Sequence, residues 1–259
     1  MTGKESKGTL KSVEKALQIL EAFSINIPEL SAGELEEKLS LPKVSIYRFL
    51  RVLLKRGFIM QNSQTRKYRL GIKVFELGSV VLRNMELRKA AFPLIEDLSK
   101  RSGETVHLGV LDGNEVVSIE GSESDYSLRI SLLIGKRVSL HSTGIGKAIL
   151  SFLPDKEIDE IIRNKSLVPF TINTITNLKL LMNELRLIRE QGYAVDNEEN
   201  ELGIRCVAAP IIDPSKRVIA SISISGPSVR ITDDRIPELA RLVVETSKEI
   251  CRSLGYDLF

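Results

Sequence analysis

The chain of 259 residues has no tryptophan, two histidines and two cysteines. With only Cys206 and Cys251, a disulfide framework is excluded, and we expect a reducing, cytoplasmic compartment. The few histidines and cysteines lie far apart in sequence, which is a poor pattern for a metal site, so neither a metal nor a cofactor is expected. No run approaches 18 apolar residues, and the first twelve residues lack the apolar core of a signal peptide, so no membrane partner is expected either.

Acidic residues are missing from one long stretch. Between Lys38 and Phe75 there are ten Lys or Arg residues and no Asp or Glu, in a chain that has 34 acids. Residues 1–71 hold 13 Lys and Arg against 7 Asp and Glu, whereas the remainder holds 24 against 27. Positive charge concentrated on a small unit is typical of nucleic-acid binding. A basic head on a mildly acidic body therefore indicates two domains with two functions.

Turn and cap signals divide the basic head into short elements. The spacing of Ser31 and Glu34 predicts a capping box at the start of a helix. Pro42 suits the first turn of the next helix, and Gly57 would end that helix. Together with a first helix capped by Ser12 and a hairpin with a polar tip, these elements predict a winged helix-turn-helix.

The third helix of this head has one apolar face and one cationic face. At 100° per residue its long polar side chains fall opposite the apolar ones, as in a helix that enters the major groove. An ordinary basic surface helix is the alternative, but it does not explain an acid-free hairpin whose cations could follow the neighbouring phosphates. The residues expected to contact DNA are Lys43, Ser45, Tyr47, Arg48, Arg51, Arg66, Lys67 and Arg69.

The remainder of the chain alternates helices with hairpin strands. Ile72 to Met85 predicts a helix with an apolar stripe, for which ordinary core packing is the simplest explanation. Asp112-Gly113-Asn114 is a strong hairpin signal between two strands, and packed helices follow. This mixture is typical of an α+β domain with a mostly antiparallel sheet. We expect a winged helix-turn-helix domain at 1–71, a linker helix at 72–87 and an α+β domain at 88–259.

Three segments of the second domain have features of a binding site. Residues 141–146 enter a helix whose free N–H groups and two glycines favour an anion, although a plain helix cap is equally consistent with them. The three serines of segment 221–225 alternate with isoleucines and face either solvent, which is favoured, or a polar cavity. Asp196 lies in an acidic segment typical of a solvated loop, and Cys206 is typical of a small buried residue.

These segments carry a resemblance to a known family. SVEKALQILEAFS, LPKVSIYRFLRVLLKRGFI and KYRLGIKVFELG resemble the winged helix-turn-helix of the IclR family of bacterial transcription regulators. GETVHLGVLDG, LHSTGIGKAIL, GYAVDNEENELGIRCVAAPI and SISISGP continue the resemblance, in order, over nearly the whole chain. It implies a GAF-like effector-binding domain and a linker helix that helps to pair subunits. It also implies a homodimer, or a tetramer that is a dimer of dimers.

The resemblance further implies an effector site. In the family, residues at the matching positions line a pocket for a small carboxylate or related metabolite, here beneath an apolar lid formed by Leu128–Val138. ETVHLGVLD, DNEENELGIRC and LGYDLF are most similar to repressors of pectin and sugar-acid catabolism, whose effector is 2-keto-3-deoxygluconate. With the helix-capping Thr143 added, the expected effector-binding residues are Thr143, Gly144, Ile145, Asp196, Cys206, Ser223 and Ser225.

A small-molecule enzyme fused to a DNA-binding module is the competing interpretation. Cys206 could act as a nucleophile, with His107 or His141 as its base and Asp196 orienting that base. Nothing in the spacing of these residues favours the constellation, and the basic head would have no purpose in a simple enzyme. We therefore expect no catalysis but a ligand-responsive, sequence-specific transcription regulator, acting by repression, that binds double-stranded operator DNA.

Overall fold

The computed structural model describes the backbone of residues 7–256 and the side chains of residues 11–163 and 166–256. The chain divides into two compact units, with the boundary between Met85 and Glu86. Each unit has its own hydrophobic core. In the described part of the chain, no helix has the length and apolar character that crossing a membrane requires.

The first unit is a winged helix-turn-helix followed by one further helix, which confirms the predicted fold. Its hairpin strands are antiparallel, with Met60 opposite Arg69. Its elements are α1 (Lys7–Glu21), α2 (Ala32–Leu39), α3 (Lys43–Lys55), β1 (Ile59–Gln61), β2 (Tyr68–Leu70) and α4 (Ile72–Arg83).

The predicted cap signals explain where α2 and α3 begin and end. Ser31 Oγ accepts a hydrogen bond from the Glu34 amide, and Glu34 Oε2 accepts one from the Ser31 amide, so the capping box is present. Pro42 precedes the first helical residue of α3 rather than occupying its first turn. Gly57 follows the end of α3 with a φ of 75°, a conformation that favours glycine.

The start of α1 differs from the prediction. The helix begins at Lys7, so Ser12 lies inside it and does not cap it. The buried side of α1 is centred on Ile19, whereas Val13 and Leu17 are exposed. Ser12 was a misleading signal because a serine inside a helix has the same sequence appearance as one at its N-cap.

The second unit contains a six-stranded antiparallel sheet, in the order β5-β4-β3-β8-β7-β6. Two helices, α5 and α9, pack on one face, while α6 packs on the other face and is backed by α8. Its elements are α5 (Glu86–Ser102), β3 (Thr105–Asp112), β4 (Glu115–Ser122), β5 (Arg137–Ser139), α6 (Gly144–Leu150), α7 (Asp155–Lys165), α8 (Leu178–Gln191), β6 (Ala194–Asn197), β7 (Ile204–Ile212), β8 (Val218–Pro227) and α9 (Ile236–Ser253).

One segment of this unit differs from the sequence prediction. β6 occupies the place of the solvated loop expected around Asp196, and it pairs with β7 so that Asp196 lies opposite Cys206. Residues 128–133, which belong to the segment expected as an apolar lid, form no strand and lead into the short edge strand β5. The predicted α+β domain with an antiparallel sheet is nevertheless confirmed.

Candidate functional site

A cavity of about 110 Å³ lies between the sheet of the second unit and the first turn of α6. Thr143 caps that helix, and Gly144 and Ile145 form its first turn. The other residues expected to bind an effector come from three neighbouring strands, β6, β7 and β8. All seven residues expected to bind an effector line this cavity: Thr143, Gly144, Ile145, Asp196, Cys206, Ser223 and Ser225.

The polar floor of the cavity follows from the strand register. Asp196 lies opposite Cys206, and Cys206 lies opposite Ser225 on the next strand. Ser223 lies opposite His107 of β3. The serines are buried, so the interpretation that they face solvent was wrong. Since β8 is a central strand covered on both faces, Ser223 and Ser225 have no water to face and meet an internal cavity instead.

The entrance of α6 offers two unused backbone donors. Thr143 Oγ1 accepts from the Gly146 amide at 3.1 Å and donates to the Ser139 carbonyl at 2.6 Å. The amides of Gly144 and Ile145 have no acceptor within the described part of the chain. Unbonded amides at the first turn of a helix are suited to hydrogen-bonding an anion.

The glycines at this entrance serve packing more than ligand access. A Cβ on Gly146 would lie 2.4 Å from the Ser139 carbonyl oxygen, so this position keeps α6 close to the preceding backbone. A Cβ on Gly144 would approach the Cβ of Cys206 to 3.3 Å. The open side of Gly144 therefore faces β7, and the expectation that both glycines make room for an anion is not supported.

The cavity wall includes polar residues that were not expected there. Ser118 is buried, and its hydroxyl has no hydrogen-bond partner among the residues that the structure describes. Lys136 contributes a cation, and Ile130 and Leu133 contribute apolar surface from the 128–138 segment. Ser118 could have been found from strand alternation, since it lies two residues after Val116 on a strand; Lys136 follows a turn and gives no periodic signal.

Burial governs the protonation of the cavity. It raises the pKa of Asp196 to about 7, and the neighbouring Glu199 carboxylate also raises it. It lowers the pKa of His107 to about 4, with a further contribution from Lys136, so this ring is neutral. It also raises the pKa of the Cys206 thiol, and the charge of Asp196 acts in the same direction. The cavity therefore contains neutral donors and one carboxyl group that titrates near neutral pH.

The other histidine lies outside this cavity. His141 Nδ1 is 2.9 Å from Ser139 Oγ, and His141 Nε2 is 3.0 Å from the Val168 carbonyl oxygen. It lines a separate cavity together with Phe170. Only His107 is therefore brought into the cavity with Cys206. Among the described residues there is also no cluster of His, Cys, Asp and Glu that could hold a metal ion.

The residues expected to contact DNA lie on two elements of the first unit. On α3, Tyr47, Arg48 and Arg51 are exposed opposite the buried face, as predicted, with Lys43 and Ser45 in its first turn. The Arg48 guanidinium lies 5.5 Å from the centroid of the Phe49 ring. No acid of α3 lies among these side chains, whereas the exposed Val44 does.

The hairpin contributes the other cations. Arg66 and Arg69 are exposed and have no acidic partner in the described part of the chain. Lys67 differs, because its Nζ lies 3.1 Å from Glu34 Oε1 on α2. The pKa of Glu34 is lowered to about 2, mainly by the hydrogen bond from the Ser31 amide and in part by Lys67. One cation of the acid-free stretch is therefore paired with an acid of α2.

Comparisons with known proteins agree along the whole chain. Residues 12–63 match the IclR helix-turn-helix domain, and residues 79–252 match the domain described as bacterial transcriptional regulator IclR C-terminal. The HTH-type transcriptional regulator XynR of Escherichia coli (strain K12) is 37% identical over 247 residues, which are 95% of this chain and 98% of XynR. KdgR of the same strain is 36% identical over 248 residues, which are 96% and 94% of the two chains.

A solved structure is similar over the same length. The crystal structure of the Thermotoga maritima IclR is 40% identical to this chain and has a TM-score of 0.77. The match covers 95% of this chain and all of the other. The C-terminal domain of E. coli KdgR is 36% identical, with a TM-score of 0.60 over 66% of this chain.

Proposed function

Since the chain belongs to the IclR family of bacterial transcriptional regulators, with a helix-turn-helix DNA-binding domain and an effector-binding domain, we propose that a small hydroxylated carboxylic acid is its effector. The main observation in support is that one cavity is lined by residues from α6, β6, β7 and β8, which are distant in sequence. The acid would bind in this cavity and, by favouring one arrangement of the protein, change its affinity for operator DNA.

The proposed effector chemistry follows from the groups in the cavity wall. The amides of Gly144 and Ile145 and the hydroxyls of Ser223 and Ser225 can donate to a carboxylate. Asp196, when ionised, can accept from a hydroxyl of the same ligand. A site built to hydrogen-bond a hydroxyl discriminates strongly against an analogue that lacks it, because its own buried group is then left unpaired.

The volume of the cavity favours a compact acid. At about 110 Å³ it is far below the ~300–1,000 Å³ of sites for drug-sized ligands. We therefore favour an acid of three or four carbons over a six-carbon acid such as 2-keto-3-deoxygluconate, for which the 128–138 segment of the wall would have to move outward.

The relatives leave several metabolites open as effectors. XynR, KdgR and the repressor AllR of E. coli are 37%, 36% and 35% identical to this chain. These nearly equal values do not favour the effector of any one of these relatives. Repression is proposed as the mode of action, since AllR carries that description.

The enzyme interpretation has less physical support. His107 and Asp196 do lie in the cavity with Cys206, as a nucleophilic site would require. A reactive thiol, however, needs a lowered pKa, whereas burial and Asp196 raise the pKa of Cys206. The arrangement keeps the thiol protonated and therefore favours binding over covalent catalysis.

We also propose that operator DNA is contacted by α3 and by the hairpin. Tyr47, Arg48 and Arg51 would reach base edges in the major groove, and Lys43 and Ser45 would contact the backbone at the start of the helix. Arg66, Lys67 and Arg69 would contact neighbouring phosphates. One such helix reads only a few base pairs, so useful specificity requires at least a homodimer on a near-palindromic site.

The proposal can be tested on the full-length protein. An operator is first selected from random duplex DNA, and its affinity is then measured by fluorescence anisotropy with and without each acid of a panel. Pyruvate, lactate, glycerate and 2-keto-3-deoxygluconate form the panel, and calorimetry measures their binding. Saturable binding without turnover, with a changed operator affinity, supports the proposal. Turnover of an acid, or failure of every acid to bind, would contradict it.

A further inference from the structure

A fully buried lysine lies directly behind the proposed effector site. Lys147 is on α6, one turn after Gly144, and its side chain is 0% exposed. Its Nζ donates to Glu199 Oε1 at 2.5 Å and to Glu184 Oε1 at 3.3 Å. A charged lysine is almost never buried in this way unless it is paired, because leaving water costs several kcal/mol per ion. The buried ion pair of Lys147 and Glu199 is therefore expected to have a specific structural or functional role.

Glu199 connects this lysine to the carboxyl group of the cavity. The Glu199 amide donates to Asp196 Oδ1 at 2.8 Å, and Glu199 Oε1 accepts from the Asn197 amide at 3.4 Å. The threonine hydroxyls of Thr171 and Thr174 donate to the carbonyls of residues 198 and 199 at 2.7 and 2.6 Å. The turn after β6 is therefore held from several sides, and the orientation of the Asp196 carboxyl depends on where Glu199 lies.

We infer that Lys147 is a positioning residue of the effector site, which acts through Glu199 to hold Asp196 in the orientation that accepts a ligand hydroxyl. The inference rests on the proposed function, since it assigns Asp196 that role. Lys147 itself does not line the cavity. It links α6, whose first turn forms one wall, to the turn that follows Asp196, the acceptor on the opposing wall. The two walls therefore keep a fixed separation.

Several charged groups face Asp196, and their effects have different signs. Glu199 raises the pKa of Asp196, whereas Lys147 lowers it. The thiol of Cys206 lies on the neighbouring strand, and His107, Lys136 and Glu201 line the same cavity. Glu184 touches Lys147 from α8 and is not among the groups that shift Asp196. Replacing Glu199 by glutamine should therefore lower the pKa of Asp196, because it removes a carboxylate that raises this pKa. Looser packing would lower it as well, so Glu184→Gln, which removes the other acid that touches Lys147, is the control.

The first test is selectivity. In calorimetry on the full-length protein, Lys147→Met should lose most of the preference for the hydroxy acid that binds most tightly. The ratio of the dissociation constant of pyruvate to that of this hydroxy acid should fall at least fivefold. Its affinity for pyruvate should stay within about threefold of wild type. If Lys147→Met does not fold, the double variant K147M/E199Q removes the unpaired buried carboxylate as well and should show the same loss. Equal weakening of both acids, or an unchanged ratio, would overturn the inference.

The second test needs no effector. The ¹³C chemical shift of the Asp196 carboxyl, followed by NMR against pH, should give a lower midpoint in Glu199→Gln than in wild type. Glu184→Gln removes the other acid that touches Lys147 and should leave the midpoint unchanged. Equal shifts in both variants, or none, would contradict the inference. If wild type binds no acid of the panel, the proposed effector class is wrong, and this titration still decides whether the turn controls Asp196.

Discussion

At the scale of single residues, Asp196 determines how the proposed site responds to pH. Its pKa of about 7 follows mainly from burial and lies close to neutral pH. An ionised Asp196 accepts a strong hydrogen bond from a hydroxyl but repels a second carboxylate, whereas the protonated form accepts more weakly and does not repel a carboxylate. The same residue should thus give opposite pH dependence to the selectivity for hydroxy acids and to the affinity for simple keto acids.

The affinity for pyruvate should fall as pH rises. A bound carboxylate near Asp196 favours the protonated form, so binding takes up a proton and weakens as the pH passes through about 7. We expect a fall of about fivefold between pH 6 and pH 8, which is the part of the tenfold effect of one unit of pKa coupling that falls in this range. Calorimetry in buffers of different ionisation enthalpy also reports the proton directly. Asp196→Asn is the control and should show no such fall; an equal slope in this variant would disprove the assignment.

The serines of β8 offer a matched pair for testing the cavity. Ser223 lines the cavity, whereas Ser221, two residues earlier on the same strand, donates to the Ala209 carbonyl at 2.9 Å. Ser223→Ala should weaken an acid ligand about tenfold, since a hydrogen bond to a charged group is worth ~1.5–3 kcal/mol. Ser221→Ala should cost stability and leave ligand affinity unchanged. Isothermal calorimetry together with urea unfolding separates the two effects, and similar ligand affinities in both variants would move the site elsewhere.

At the scale of elements, the predictable parts are those with local signals. The helix α8, Leu178–Gln191, has such signals, since the Asn177 side chain caps its start and Gly192 adopts a φ of 83° at its end. β6 was missed because Asp196 and the acids that follow it are typical of a loop, and only the pairing with β7 makes this segment a strand. The pair of Lys147 and Glu199 was also missed. Its partners are 52 residues apart, and no local pattern reports a contact across that distance.

The candidate site also has parts that the sequence could predict and parts that it could not. The seven expected effector residues were named from motif resemblance and do share a cavity, although nothing in their spacing required it. The burial of Ser223 and Ser225 could not be predicted, because alternation defines two faces of a strand without indicating whether a face is covered. Whether a face of the strand is covered depends on helices such as α6, which lie elsewhere in the sequence.

The pairing of α2 with the hairpin leads to a prediction about DNA affinity. Glu34 holds Lys67 at 3.1 Å and so competes with phosphate for this cation. Glu34→Gln should keep the capping box, because an amide oxygen can still accept from Ser31, and should free Lys67. Operator affinity at low salt should rise about threefold to tenfold, and the slope of log affinity against log salt should steepen by up to about one unit.

Another acid on α2 provides the control for this prediction. Glu37→Gln removes the same charge from an exposed position that has no ion pair in the described part of the chain. Its effect on DNA should be smaller, since it changes only the general electrostatic field. Both variants are compared by fluorescence anisotropy over a range of salt concentrations. Equal effects would show that Lys67 has no specific part in phosphate binding.

At the scale of the whole molecule, regulation requires coupling between two ligands. If an acid changes operator affinity by some factor, operator DNA must change the affinity for that acid by the same factor. This reciprocity does not depend on how the two units are arranged. Measuring both directions with the same operator therefore checks whether the acid found by calorimetry is the ligand that regulates DNA binding.

Assembly should depend on α4, which has no buried residue in the single chain. Its apolar side chains Phe75, Leu77, Val80 and Val81 are exposed, Phe75 at 69%. We propose that a second subunit covers this stripe, as a homodimer or within a tetramer. Exposed apolar residues in a row are typical of an interface, since burying them in a partner removes apolar surface from water.

Replacing Leu77 by aspartate should break such an interface. Leu77→Asp would bury an unpaired charge between subunits, on the order of 3 kcal/mol, or about a hundredfold in the association constant. Ser79→Asp adds the same charge about 200° from Leu77, next to Phe75 at the edge of the exposed apolar surface, and should weaken assembly much less. Sedimentation velocity should show a smaller species for Leu77→Asp alone, and its operator affinity should fall because one head reads too few base pairs. If both variants sediment like wild type and bind the operator normally, α4 takes no part in assembly.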